Sequence, residues 1–182
     1  MNDKIITIYV AHYIAKGDVY DKLIRGWQWL APFDRLLHMF NKRLPTYKHY
    51  KTSHSEIVFK DDNGDYQFAS SSGRDGGVRI KHVIPNTGNW EFTPIQITET
   101  QFFLLTVFYK RHVGKKYDNL GIALSQILPL GISKQQKFFC SEFCATGLDF
   151  AGIIEFDKHF DWYSPARLRT YLRIKTKVDI LP

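Results

Sequence analysis

Thiols are scarce in this chain: its 182 residues include only two cysteines, Cys140 and Cys144. Four positions apart, they share one face of a helix and are poorly placed to bond each other. That excludes a disulfide framework and suggests a reducing compartment. Long apolar runs are also missing, with nothing near the roughly 18 residues of a membrane-spanning helix. The amino-terminal stretch from Met1 to His12 has a short apolar run but no signal-peptide core or cleavage site. The expectation is a soluble, cytoplasmic protein with no membrane span. No zinc-finger spacing and no RNP-type motif is present. The glycine-rich tract Ser71-Ser72-Gly73-Arg74-Asp75-Gly76-Gly77 lacks both the Walker and the dinucleotide-binding spacing, and reads as a connection between strands.

What is present is ordinary in bulk and aromatic in detail. Apolar residues make up 44%, charged residues 24% and aromatics 15%. The length suits one domain, residues 1–182, with a core built largely from rings. The net charge of +7 makes an anionic polymer or another acidic partner conceivable. The basic residues are spread over three patches, around 48–51, 110–116 and 167–177, and form no continuous block. Nucleic acid is therefore the less favoured partner, though not excluded.

The apolar pattern predicts an α+β domain. Residues 5–11 read as a buried strand, 19–29 as an amphipathic helix led by Val19, Leu23, Ile24 and Trp27, and 32–44 as a second helical segment. A loop is expected over 46–53. Strands are expected over 56–59, 66–70, 78–83 and 90–97, forming an antiparallel β-meander, with a hairpin turn at Asp61-Asp62-Asn63-Gly64. Thr98-x-x-Gln101 is a capping box opening a helix to about residue 111. Further helices are expected over 120–128, 140–150 and 165–172, the last capped by Ser164 with Pro165 at its first position.

One segment carries a chemical signal. Phe138-Phe139-Cys140-Ser141-Glu142-Phe143 places a cysteine in the first turn of a helix. Free amides and the helix dipole there favour a thiolate, and the same amides can hold an oxyanion. A nucleophilic thiol needs a base, and His54 has the best setting of the seven histidines, at the start of a strand. Strand alternation puts Glu56 on the same face as His54. The competing readings are that Cys140 and Cys144 are packed core thiols and that Glu56 is a solvated carboxylate. A metal site of Cys140, Cys144 and a histidine is weakened by the lack of a second ligand pair. No metal and no cofactor is called for.

Together these pieces resemble the NlpC/P60 superfamily of papain-like thiol hydrolases. Gly114-x-x-Tyr117-x-x-x-Gly121 precedes Cys140-Ser141 in the family order, while the histidine strand lies ahead of both. That order is similar to the circularly permuted branch, which includes YiiX-like and lecithin–retinol acyltransferase-like proteins. A closer resemblance is to small proteins of tailed bacteriophages. It rests on Lys16-Gly17-Asp18, Leu23-Ile24-Arg25-Gly26-Trp27, Ser53-His54-Ser55-Glu56-Ile57, Gly76-Gly77-Val78-Arg79, Tyr117-Asp118, Phe139-Cys140-Ser141-Glu142 and Ser164-Pro165.

The resemblance implies a permuted NlpC/P60 fold, in which an antiparallel meander packs on helices with the nucleophile at a helix N-terminus. It implies a cysteine hydrolase, a peptidase/amidase or an acyl-ester or thioester hydrolase, working through an acyl-enzyme. Cys140 and His54 would be catalytic with Glu56 orienting the histidine, and Tyr117 and Ser141 would line the substrate site. The substrate would be a peptide, amide or acyl ester. Residues 30–51 stand out as an insertion. The family's third polar residue normally follows on the next strand, where Gln67, Ser70 and Ser71 are available. The alternative is a catalytically inactive phage-encoded module that binds a host protein or nucleic acid through the same groove.

Overall fold

The computed structural model describes residues 3–14, 19, 22–24, 26, 52–83, 88–118 and 137–176. Expected helices over 32–44 and 120–128, the expected insertion and Gly121 lie outside the described residues. Of the expected helix over 19–29, the described positions are helical, but Val19 and Leu23 are exposed rather than facing a core.

Seven strands form one sheet among the described residues, in the order β5-β1-β2-β3-β4-β6-β7. They are β1 (Ile5–Ile14), β2 (Thr52–Lys60), β3 (Tyr66–Ser72), β4 (Gly77–His82), β5 (Trp90–Thr98), β6 (Lys116–Tyr117) and β7 (Lys137–Phe138). All neighbours are antiparallel except β6 and β7. Among the described residues, the helices α1 (Glu99–His112), α2 (Cys140–Phe150) and α3 (Pro165–Thr176) accompany the sheet. The protein is thus mixed α+β with an antiparallel-dominated sheet against helices.

Only β2, β3 and β4 follow one another as a meander. The expected fourth meander strand, β5, returns to the opposite edge and pairs with β1 from Ile5↔Thr98 to Tyr13↔Trp90. The physical reason is the apolar alternation of β1. Ile8 and Val10 are fully buried on the helix side, and their register partners Ile95 and Thr93 complete that face. β2 also begins earlier than expected, so Thr52 and Ser53 are strand rather than loop, and β3 extends through Ser72.

The core lies between sheet and helices. Ile8, Val10, Ile57, Phe59, Ala69 and Val78 meet Leu105, Phe108 and Tyr109 of α1 and Phe143, Cys144 and Leu148 of α2. Rings dominate it: Phe59 stacks on Tyr109 at 5.6 Å, and Phe108 lies 5.2 Å from Phe143. Such pairs each contribute about 1 kcal/mol beyond simple area burial. Helix α1 opens with the expected capping box, Gln101 N–H donating to Thr98 Oγ1 and Thr98 N–H to Gln101 Oε1. Helix α3 opens on Ser164, whose Oγ accepts from Arg167 N–H. The buried Arg169 of α3 then donates to Thr52 Oγ1 at 3.1 Å and pairs with Glu91 of β5. This anchors the first residue of β2 to both a helix and an edge strand. Among the described residues no helix is long and apolar enough to cross a membrane.

The junction from β4 to β6 depends on a glycine. Gly77 has φ +155, and a Cβ there would overlap the Lys115 carbonyl oxygen. The close approach lets Val78 N–H donate to Lys115 O at 2.8 Å and Gly114 N–H to Val78 O at 2.9 Å. Strand β6 then carries β7, which leads directly into Cys140. Gly76, at φ +78, has open space around its missing Cβ. Gly76→Ala is expected to cost about 1 kcal/mol through backbone strain alone. Gly77→Ala should cost about 3 kcal/mol, because strain and overlap combine. Urea denaturation of the two variants checks the ranking.

Candidate active site

The site forms where two strands part. The ladder between β2 and β3 runs from Ile57↔Ala69 to Lys60↔Tyr66. Beyond Ile57, β2 continues to Thr52 against β1, while β3 continues to Ser72 against β4. Two serine hydroxyls bridge the backbone around this opening. Ser70 Oγ donates to Ser55 O at 2.7 Å, and Ser71 Oγ donates to Phe138 O at 2.7 Å. The second bond fixes the residue two positions before Cys140. Both hydroxyls thus donate to backbone carbonyls. Gln67 is also elsewhere: its amide donates to Asp61 Oδ2 at 2.9 Å and lies against His82, at the turn end of the strands.

The partner of His54 is Glu56. His54 Nε2 donates to Glu56 Oε1 at 2.9 Å, as their shared strand face allows. Glu56 is nearly fully buried, not solvated. A buried carboxylate needs compensation, and Arg79 of β4 supplies it. Arg79 Nη1 donates to Glu56 Oε2 at 2.9 Å and Nη2 to Oε1 at 2.7 Å. Arg79 Nε donates to Asp75 Oδ2 at 2.8 Å, and Asp75 also pairs with Lys81. Sequence reasoning passed over Arg79 and Asp75. The available signal was alternation, which puts Arg79 and Lys81 on one face of β4, and the Gly76-Gly77-Val78-Arg79 motif itself.

Cys140 is the first residue of α2. Phe139 at the N-cap has no side-chain acceptor, so no side chain caps the first turn from that position. Glu142 reaches back to accept from Phe139 N–H at 3.3 Å. The thiol of Cys140 is a hydrogen-bond partner and a charge partner of His54. Since Nε2 is held by Glu56, Nδ1 is the ring nitrogen left for sulfur. Burial works against the imidazolium, yet Cys140 and then Glu56 outweigh it and raise the pKa of His54 to about 9. Burial likewise works against the Glu56 carboxylate, and the bonds from His54 and Arg79 hold it at about 2. Burial pushes the Cys144 thiol well up, reinforced by Cys140 and Glu56. The two cysteines therefore differ: one faces an imidazole, the other sits in the core among Phe143, Ala145 and Leu148.

Access to the site is narrow. Cys140 is fully buried, and His54 exposes 20% of its side chain. Trp90 of β5 lies edge-on to the imidazole at 6.3 Å and against Tyr13 at 5.2 Å. That aromatic wall was not anticipated, because it depends on β5 returning beside β1. Of the expected lining residues, Ser141 is buried and its hydroxyl has no partner among the described residues. Tyr117 is half-buried in β6, in register with Phe138. The structure thus brings Cys140, His54 and Glu56 together and sets Tyr117 on β6, beside the strand that precedes Cys140. Among the described residues, one group of three could offer close metal ligands, Asp61 and Asp65 at the β2–β3 turn with His82 at the end of β4. It contains neither cysteine. Comparison with family models, curated proteins and solved structures finds no match for the chain.

These shifts set a pH dependence. His54 has an ordinary value of 6.5 and is raised to about 9. Its contribution to stability is complete below pH 6.5 and is lost as pH rises through 9. Glu56 moves the other way, from 4.5 to about 2, so its contribution is present above pH 4.5 and is lost as pH falls toward 2. Thermal unfolding should therefore show greatest stability between these limits and a decline on the alkaline side. His54→Gln should flatten that alkaline decline.

Proposed function

We propose that this chain is a cysteine hydrolase of the permuted NlpC/P60 type, acting on an amide, ester or thioester carbonyl. The observation that carries the reading is the position of His54, between the Cys140 thiol and the Glu56 carboxylate, with its imidazole held charged up to about pH 9. The order of the histidine strand, Tyr117 and Cys140 along the chain supports the permuted family, as does a nucleophile at a helix start against an antiparallel sheet.

The chemistry follows from the geometry. His54 takes the Cys140 proton on Nδ1, giving a thiolate–imidazolium pair, while Nε2–H stays donated to Glu56. The thiolate attacks the substrate carbonyl carbon, and its electron pair moves to oxygen. First-turn amides of α2 stabilise that oxyanion. Collapse expels the amine, alcohol or thiol, which takes the Nδ1 proton, and leaves a thioester on Cys140. Neutral His54 then draws a proton from water, whose oxygen attacks the thioester. Release of the acid restores the pair. Glu56 fixes the ring and its tautomer throughout.

A second reading has one observation in its favour, the full burial of Cys140: a groove that only binds a host protein or a nucleic acid does not need an accessible thiol. Iodoacetamide separates the two, because only a thiolate displaces iodide to form the carbon–sulfur bond. With mass-spectrometric assignment, Cys140 should be alkylated and Cys144 spared. At about pH 6, His54→Ala should slow Cys140 alkylation about a hundredfold, because the thiol loses the base that takes its proton. An unreactive Cys140, or a rate indifferent to His54, sinks the hydrolase. Binding to nucleic acid that weakens steeply with salt and ignores Cys140→Ala would then favour the second reading.

A further inference from the structure

We propose that Arg79 is a positioning residue for the Cys140–His54 pair, acting through Glu56, and that Asp75 holds Arg79 in place. The inference rests on the hydrolase reading above and adds a residue to it.

Three strands put the parts in one row. Ile57 pairs with Ala69, and Ser70 pairs with Arg79. Glu56, Ser70 and Arg79 thus lie abreast on β2, β3 and β4. The residue in the middle is small, and its hydroxyl turns back to the Ser55 carbonyl. That leaves the space through which the guanidinium reaches Glu56. The contact is a two-pronged fork on both carboxylate oxygens, the arrangement a planar guanidinium makes and an ammonium cannot. The third donor, Nε, is taken by Asp75, so the fork is fixed from behind.

The charges alternate along this line. In the thiolate–imidazolium state of the proposed mechanism, Cys140 is followed by imidazolium His54, carboxylate Glu56, guanidinium Arg79, carboxylate Asp75 and ammonium Lys81. Cys144, the other titratable group in this set, interacts with Cys140, Glu56 and Arg79 and is kept neutral by burial. One cation placed between two anions balances only one of them. If Arg79 were absent, the Glu56 carboxylate would claim the imidazolium charge, and the thiol would keep its proton. With Arg79 on Glu56, the positive charge of His54 is available to sulfur. Glu56 Oε1 accepts from both His54 Nε2 and Arg79 Nη2, so the same contact also sets the imidazole's angle. A purely structural ion pair would change stability and leave thiol reactivity alone.

The test is the pH profile of Cys140 alkylation by iodoacetamide in the full chain, with folding verified by near-ultraviolet circular dichroism. Arg79→Met should slow the reaction about tenfold at about pH 6 and move the profile up by about one unit. Arg79→Lys, which keeps the charge without the fork, should fall between Arg79→Met and wild type, and Asp75→Asn should give a smaller shift in the same direction. In a Glu56→Gln background, adding Arg79→Met should change nothing further, because the residue it acts through is gone. Should Arg79→Met alone fail to fold, Arg79→Lys and the Glu56→Gln/Arg79→Met pair carry the test. An Arg79→Met or Arg79→Lys profile superimposed on wild type overturns the proposal. So does an Arg79→Met effect of equal size with and without Glu56. In either case a His54-dependent wild-type rate leaves the hydrolase reading standing. Loss of that dependence marks failure of the hydrolase reading itself.

Discussion

A charge inside a protein must be answered by another, and the burial of Glu56 is the constraint from which the rest of this site follows. Leaving such a carboxylate without its partner costs about 3–5 kcal/mol. The sheet answers with Arg79 two strands away, and Arg79 is itself held by Asp75. The carboxylate can then face His54 as a fixed anion. The imidazole in turn can hold charge against Cys140 despite its own burial. Each ionised group is stable because its neighbour has the opposite sign. The set is therefore rigid in a way that exposed ion pairs, worth about 0–1 kcal/mol, are not.

The backbone around this line is arranged to keep the strands apart at the right place. Ser70 and Ser71 spend their hydroxyls on carbonyls of β2 and β7 rather than on chemistry. Gly77 brings β4 against Lys115 and so sets the strand that delivers Phe138. Arg169 holds Thr52, two residues before the histidine, from the side of α3. Each of these contacts fixes a backbone position near Cys140 or His54.

Much of this was legible in the sequence. Helix α2 begins and ends where its apolar spacing and Cys140 predict, and the caps of α1 and α3 follow from Thr98-x-x-Gln101 and Ser164-Pro165. Period-two alternation set His54 and Glu56 on one face but left their contact open, and the structure supplies the bond. Partners distant in sequence were not legible. Arg79 meets Glu56 only because a small residue separates them on the middle strand. Trp90 reaches the imidazole only because β5 returns to β1. Local pattern identifies a strand but not its neighbour, and the excess of alternation-compatible pairings hid the one used. The strand on which the resemblance expects a third polar residue offers Gln67, Ser70 and Ser71, whose side chains bond elsewhere, and it is Glu56 that meets His54.

The pairing of β5 with β1 also sets an order of assembly. The strands β5, β1, β2, β3 and β4 stand side by side in the sheet and are all complete by Thr98. His54, Glu56, Asp75 and Arg79 belong to that block, whereas Cys140 arrives more than a helix later. A chain emerging from the ribosome can close this antiparallel block before its thiol has been synthesised. His54 is then already oriented and already compensated when Cys140 docks.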